Sequence, residues 1–261
     1  MKKKSNTKRI IITAAVVVIM IAAAVFGMIQ YKNAKKQAQK KENEQTYKDL
    51  QEQVVAEPEQ SEDDAEDNKD IAIDFSTLQA MNPDIYAWIY IPDTEISYPI
   101  VQSDEADQSY YLNHTVQGAL GMPGSIYSEN VNKKDFTDFN TILYGHEMID
   151  GSMFGSLKSY RDISFWETHP EIYVYTPEKK FTFRIFAAVV FDDRYIPEAY
   201  DFSKVQDMGQ YISDIQSVQG VNSHVFEEAV LDTNSKLLTL STCIADQSTN
   251  RYLVEAYLVN E

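Results

Sequence analysis

Cysteine is nearly absent from this chain, because Cys243 is the only one among 261 residues. A lone thiol cannot form a disulfide within the chain, and it cannot build a cysteine-ligated zinc site. The four histidines share no metal-ligand spacing, and no EF-hand pattern occurs. The sequence therefore predicts neither a metal nor another cofactor.

Several common catalytic signatures are also missing. The chain has no Gly-x-Ser-x-Gly elbow, no Walker loop and no Gly-x-Gly-x-x-Gly turn. Acidic residues are absent from residues 1–41, which carry ten Lys or Arg, whereas the remaining 220 residues carry 13 bases against 40 acids. Such an acidic region repels phosphate backbones, so no nucleic-acid partner is expected.

The sequence has a single long apolar run, Ile10–Ile29, which follows a basic tail at residues 1–9. A helix of this length spans about 30 Å, the thickness of the hydrocarbon core of a bilayer. We therefore predict a transmembrane anchor at residues 10–30, with a cleavable signal peptide as the alternative because of the small residues at 22–24. Residues 31–70 are predicted to form a charged stalk, partly helical at first and disordered from Ala56 to Asp70.

The folded domain is predicted to cover residues 71–261. Short segments rich in Ile, Val, Thr, Tyr and Phe favour strands at 87–91, 98–102, 124–127, 141–144, 172–176, 180–191, 236–242 and 251–259. Helices are expected at 74–82, 152–160 and 203–219. Many strands and few helices predict a mainly β fold, a closed or partly closed barrel of about eight strands with peripheral helices.

Cys243 follows an apolar strand, and Arg251 begins the next strand eight residues later. If the two strands are antiparallel neighbours, a short loop brings the thiol and the guanidinium together, where the guanidinium can stabilise an oxyanion. The alternatives are a thiol buried as a small hydrophobe and an arginine that pairs with Asp246 at the surface.

A thiol nucleophile needs a proton partner, and four histidines are available. His146 follows the apolar run Thr141–Tyr144 and a glycine that lets the backbone turn towards a cleft. His169 lies in a polar turn before Pro170 and His224 lies between a helix and a strand, so both are expected at the surface, and His114 has no further support. We therefore choose His146 as the candidate acid and base.

Longer motifs resemble the sortases, the cysteine transpeptidases of Gram-positive cell surfaces. Thr239-Leu-Ser-Thr-Cys243 with a downstream Arg251 is similar to their signature, and Thr141–Met148 resembles the segment that carries their histidine. The class B members are matched by Asn82–Pro92, Tyr98–Gln102, Tyr110–His114, Asp150–Ser156 and the helix at 203–219. The resemblance covers about Phe75 to Leu258 and implies a sortase-like barrel with an N-terminal helix and an inserted helix before the last two strands.

The resemblance also implies a reaction. Cys243 would attack a backbone carbonyl in the C-terminal sorting motif of a secreted protein, Arg251 would stabilise the oxyanion, and His146 would protonate the departing amine. An amine of a cell-wall precursor, or a pilin lysine, would then resolve the thioacyl-enzyme. The same resemblance implies substrate contacts for Ser241, Tyr195, Ile196 and Leu112.

Two other functions remain open at the level of the sequence. A thiol peptidase would release the same acyl group to water, and a non-catalytic surface barrel would only bind a partner. For the enzyme, we expect a single-pass membrane protein with its N-terminus inside and its catalytic domain extracellular. The lysines and arginines on the two sides of the span are balanced, so this orientation rests mainly on the proposed surface chemistry.

Overall fold

The computed structural model describes residues 3–56, 71–226, 229–244 and 247–261. Residues 57–70 lie outside these described ranges, and they make up most of the acidic stretch predicted to be disordered. Asp246 also lies outside them. The helices are α1 (Lys3–Val54), α2 (Phe75–Met81), α3 (Ile163–Thr168), α4 (Ile196–Ala199) and α5 (Val205–Gln216). Tyr110–Leu112 and Gly155–Arg161 form 3₁₀ helices.

The strands are short at the start of the chain and long at its end. They are β1 (Val55–Ala56), β2 (Ala72–Ile73), β3 (Ile85–Tyr90), β4 (Ser97–Val101), β5 (Ile126–Tyr127), β6 (Asn140–Tyr144), β7 (Glu171–Tyr175), β8 (Lys180–Asp192), β9 (His224–Val225), β10 (Leu237–Ile244) and β11 (Gln247–Asn260). Among the strands that the structure describes, β1 and β2 pair only with each other.

Within the described residues, eight strands close into a barrel in the order β11-β10-β6-β5-β4-β3-β7-β8, and β8 pairs back onto β11. β9 adds to β8 outside this ring. The β6–β10 and β4–β5 pairs are parallel, and the other neighbours are antiparallel. The predicted mainly β fold with a closed barrel is confirmed.

Two helices predicted from the sequence flank this barrel. The N-terminal helix expected at 74–82 is α2, and the Asp74 side chain caps it by accepting a hydrogen bond from the Thr77 amide at 3.1 Å. The inserted helix expected at 203–219 is α5, which precedes the last two barrel strands. The segment expected to be helical at 152–160 instead forms the tighter 3₁₀ helix from Gly155 to Arg161.

Contacts divide the chain into two compact units, Met1–Glu42 and Asn43–Glu261. The second unit begins 28 residues before Ile71, where the sequence placed the start of the domain. The domain starts earlier than predicted because three residues of α1 are buried in the main hydrophobic core, namely Tyr47, Leu50 and Val54. They lie three and four residues apart and so share one face of the helix.

A second hydrophobic core joins α5 to the barrel. Tyr211 and Ile215 of α5 pack with Phe186 and Val189 of β8 and with Leu253 of β11. This contact fixes the chain that leads from β8, past α4, into α5.

A polar network is sealed beside the second core. Glu255 of β11 is completely buried, and its carboxyl group accepts a hydrogen bond from the Tyr211 hydroxyl at 2.8 Å. The Thr239 hydroxyl lies 2.9 Å from the other carboxyl oxygen and 3.0 Å from the Asn140 side-chain oxygen. Burial raises the pKa of Glu255 to about 7, although both hydroxyls favour the charged form.

Candidate active site

The candidate site lies at the end of β10, where the backbone register sets Cys243 opposite Arg251. The antiparallel β10–β11 ladder pairs their Cα atoms directly, and a register shift follows between Cys243 and Ile244. The expectation that the two residues meet on antiparallel neighbouring strands is confirmed. The connection between the strands is shorter than expected, because β11 already begins at Gln247, so the sheet itself fixes the separation of the two residues.

Cys243 is exposed although its neighbours on the strand, Thr242 and Ile244, are buried. A thiol that served only as a small core hydrophobe would be buried like them. The exposed thiol is therefore open to a substrate, which a nucleophile requires.

The segment carrying His146 is held against the strand of the nucleophile. The Gly145 amide donates to the Ser241 carbonyl at 3.2 Å, and the Thr242 hydroxyl donates to the Gly145 carbonyl at 2.8 Å. Both partners lie within two residues of Cys243. The parallel β6–β10 pairing therefore carries His146 to the same end of the barrel as the thiol.

The ring of His146 is oriented by a backbone carbonyl. Its Nε2 atom lies 2.8 Å from the Leu112 oxygen, and because a carbonyl can only accept, this geometry assigns a proton to Nε2. Nδ1 is then the nitrogen able to exchange a proton with a substrate. Burial of the half-buried ring lowers the pKa of His146, and the hydrogen bond to Leu112 opposes this shift.

The other three histidines are engaged elsewhere. His114 stacks on Tyr110 and bonds its carbonyl, and the His169 ring lies on Phe165. The His224 ring bonds the Arg161 carbonyl at 2.7 Å.

A cavity of about 320 Å³ opens beside the thiol. Six of the seven site residues predicted from the sequence line it, namely Cys243, Arg251, Ser241, Tyr195, Ile196 and Leu112. The seventh, His146, directly follows the lining residue Gly145, and its ring is bonded to Leu112. Residues from five separate stretches of the chain therefore meet at one place.

Two arginines line this cavity, but their surroundings differ. The guanidinium of Arg194 forms a two-pronged ion pair with the Asp192 carboxylate and lies over the Phe191 ring. The same interaction lowers the pKa of Asp192. Arg251 lies opposite the thiol, and its Nη1 donates to the neighbouring Asn250 carbonyl at 3.0 Å. Arg251 is therefore the better placed of the two to meet charge that develops at a carbonyl attacked by Cys243.

The sequence did not indicate the other nine residues that line the cavity, among them Tyr127, Tyr144 and Glu129. Tyr127 and Tyr144 stack with ring centroids 5.4 Å apart, and the Tyr195 hydroxyl donates to the Glu129 carboxylate. The aromatic positions at the ends of β5 and β6 were a usable signal, because strand ends commonly carry site residues. The bond between residues 66 positions apart had no local signal.

No group of three or more His, Cys, Asp or Glu side chains that could hold a metal ion occurs in the part of the chain that the structure describes.

Comparisons with known proteins agree with this geometry. The family model described as "Sortase domain" matches residues 89–259. Sortase B of Listeria monocytogenes is 32% identical over 196 residues, which is 74% of this chain and 77% of that protein. Sortase B of Staphylococcus aureus is 31% identical over 189 residues, or 71% of this chain and 74% of that protein.

Solved structures give the same result. The crystal structure of sortase B from Bacillus anthracis in complex with AAEK1 is similar with a TM-score of 0.69 and 31% identity, covering 86% of this chain and 99% of that chain. The Staphylococcus aureus sortase B–substrate complex is similar with a TM-score of 0.61 and 28% identity, covering 71% of this chain and 84% of that chain.

Proposed function

The chain belongs to the sortase family, among its class B members, and from this premise we propose that it is a membrane-anchored cysteine transpeptidase. Its substrates would be secreted proteins that carry a C-terminal sorting motif. It would transfer them to an amine of a cell-wall precursor or to a pilin lysine. The observation that carries the proposal is the exposed thiol of Cys243 in register with Arg251 at the edge of the cavity.

In the first half-reaction, the Cys243 thiolate attacks the carbonyl carbon of the scissile amide and forms a tetrahedral oxyanion. The guanidinium of Arg251 stabilises that charge, which is larger in the transition state than in the substrate. The C–N bond then breaks as the His146 imidazolium gives its proton to the departing amine. The products are a thioester on Cys243 and a free amine.

In the second half-reaction, the incoming amine attacks the thioester carbonyl and gives up a proton to neutral His146. Collapse of the tetrahedral intermediate forms the new amide and returns the Cys243 thiolate. One amide is exchanged for another, so the reaction needs no external energy source. If water attacks instead, the enzyme acts as the thiol peptidase that the sequence left open.

Substrate contacts are proposed for Ser241, Tyr195, Ile196 and Leu112, all of which line the cavity. Ser241 lies two residues from the nucleophile on β10, and Tyr195 and Ile196 lie between β8 and α5. An extended peptide lying along the cavity would pass these side chains before its scissile bond reached Cys243.

The experiment compares peptides with Asn-Pro-x-Thr-Gly-like and Leu-Pro-x-Thr-Gly-like motifs as substrates of the full chain in detergent. Wild type should cleave one set, whereas Cys243→Ala and His146→Ala should not, and Arg251→Ala should cleave it at least about a hundredfold more slowly. Adding triglycine or a diamino acid should divert the product from the free acid to the new amide, as measured by mass spectrometry. Normal turnover by Cys243→Ala would refute the proposal.

The helix α1 supports the membrane part of the proposal. The part of α1 from Val16 to Val54 contains a stretch long and apolar enough to cross a bilayer, with a mean hydropathy of 1.6. We propose that residues 10–30 anchor the protein with the basic tail inside and the catalytic domain outside. Protease added to intact protoplasts should then remove the domain, and survival of the domain would refute this orientation.

A further inference from the structure

Towards its end, α1 is bonded to a loop of the barrel by two buried side chains. The Asn43 amide group donates to the Met122 carbonyl at 2.8 Å, and Tyr47 contributes its hydroxyl. Tyr47 is 3% exposed. Its hydroxyl donates to the Gly124 carbonyl at 2.6 Å and accepts from the Val116 amide at 3.2 Å. Both partners belong to the segment between β4 and β5, residues 102–125, which we call the β4–β5 loop. The hydroxyl thus joins two limbs of this loop that are eight residues apart.

The two limbs are in close contact at Leu112. A Cβ atom at Gly124 would lie 2.2 Å from the Leu112 carbonyl oxygen, so only glycine allows the limbs to approach this closely. Gly124 also has a φ of +70°, which favours glycine. The adjacent Ser125 amide donates to the Tyr111 carbonyl at 2.9 Å. Any shift of the limb held by Tyr47 would therefore be passed directly to the backbone of Leu112.

Leu112 is the residue whose carbonyl orients the proposed acid and base. Its oxygen lies 2.8 Å from Nε2 of His146, and the residue lines the cavity. A continuous set of contacts therefore runs from the Tyr47 hydroxyl through Gly124 and Leu112 to the imidazole. The ring depends on this carbonyl for its tautomer and its rotation.

We propose that Tyr47 is a positioning residue for His146, acting through the β4–β5 loop to hold the Leu112 carbonyl against the imidazole. This inference rests on the proposed function, because it assigns His146 the role of proton donor. If Tyr47 has this role, the end of α1 takes part in catalysis. A helix that only held the domain away from the membrane would not.

The test compares Tyr47→Phe with Gln51→Ala in the full chain in detergent. Gln51 is a matched control, since it lies one helical turn further along α1 and donates to the Ser97 carbonyl of β4 without a bond to the β4–β5 loop. Peptide cleavage gives kcat and KM, and thermal unfolding shows that each variant is folded at the assay temperature. Histidine labelled with ¹³C at Cε1 gives the ring resonance of His146, assigned by its loss in His146→Gln.

Tyr47→Phe should lower kcat about three- to tenfold, the effect of one hydrogen bond, and leave KM unchanged. It should also shift the His146 resonance and its titration. Gln51→Ala should leave kcat and the resonance as in wild type.

The proposal is overturned if Tyr47→Phe keeps the wild-type resonance of His146, or if both variants lower kcat equally, because helix docking alone would then explain the loss. If wild type cleaves no motif peptide, the proposed function fails. The resonance of His146 still decides separately whether Tyr47 positions the ring.

Discussion

Cys243 and Arg251 illustrate what residue types and spacing can predict. A thiol at the end of an apolar strand and an arginine eight positions later are enough to indicate a shared site from the sequence alone. The register that pairs them could not be read from the sequence, because it depends on where β10 and β11 end. The carbonyl of Leu112, which orients His146, was likewise out of reach, since every residue has a carbonyl.

At the residue scale, we expect Arg251→Ala to lower kcat by about 10²–10³-fold, the usual effect of removing one group that stabilises an oxyanion. Arg251→Lys should recover part of the loss, because it keeps the charge but not the planar donor fork. Arg194→Ala is the matched control, since Arg194 lines the same cavity but is bonded to Asp192. Equal losses in Arg194→Ala and Arg251→Ala would argue against a specific role for Arg251.

The pH dependence of kcat/KM should reflect the protonation of His146. Burial lowers the pKa of His146, and an imidazole ordinarily loses its proton at a lower pH than a thiol. The acidic limb of kcat/KM therefore reports His146 and should inflect below about pH 6.5. The lowered pKa also makes the ion pair of thiolate and imidazolium rarer, so we expect slow turnover. A flat profile between pH 5 and 9, or an acidic limb above pH 6.5, would contradict this assignment.

At the scale of elements, the sequence predicted strand β8 closely but did not predict that α1 docks on the domain. The β-branched and aromatic run at 180–191 predicted β8 to within one residue of its observed end, Asp192. The docking of α1 was missed because the helix is rich in Lys, Glu and Gln. Its narrow apolar stripe, Tyr47, Leu50 and Val54, was nevertheless present in the sequence.

The turn after β6 leaves no space for a side chain at Gly145. A Cβ atom at Gly145 would lie 2.5 Å from Cδ1 of Ile126 and 2.8 Å from Cδ2 of Phe154, both in the buried core. Gly145→Ala should therefore lower the free energy of unfolding by about 1–3 kcal/mol and lower kcat by displacing His146. Gly209 in α5 has nothing within 4 Å of an added Cβ, so Gly209→Ala should raise stability by about 0.5–1 kcal/mol. Urea unfolding measures both, and equal effects would show that the space around Gly145 does not matter.

At the scale of the whole molecule, the charge asymmetry and the apolar run predicted an anchor, a linker and an outer domain. The barrel class followed from the number of strands, whereas its closure by β8 and β11 required long-range pairing that no local pattern encodes. Nor could the sequence show that α5 is fixed to the barrel by a sealed carboxyl group, because Glu255 lies in a strand that also contains exposed positions.

Glu255 makes the stability of the whole fold depend on pH. Its pKa is about 7 in the folded protein against an ordinary 4.5, so the native state holds an extra proton between these values. The extra proton contributes to the free energy of unfolding. This contribution is fully present below pH 4.5 and is lost as pH rises through about 7, and it amounts to roughly 3 kcal/mol at most. Glu255→Gln should lack it. In urea unfolding at pH 5 and pH 8, the stability of wild type relative to the variant should fall with pH, and parallel profiles would contradict the assignment.

The proposed mechanism requires that the acyl group be bound covalently to Cys243 during each turnover, and intact-protein mass spectrometry can detect this intermediate. The full chain in detergent is mixed with a cleavable motif peptide and quenched in acid within one turnover. We predict an added mass equal to the acyl part of the peptide, mapped to Cys243, released by hydroxylamine and absent from Cys243→Ala. Cleavage without any adduct on Cys243, or an adduct mapped to another residue, would show that Cys243 is not the nucleophile.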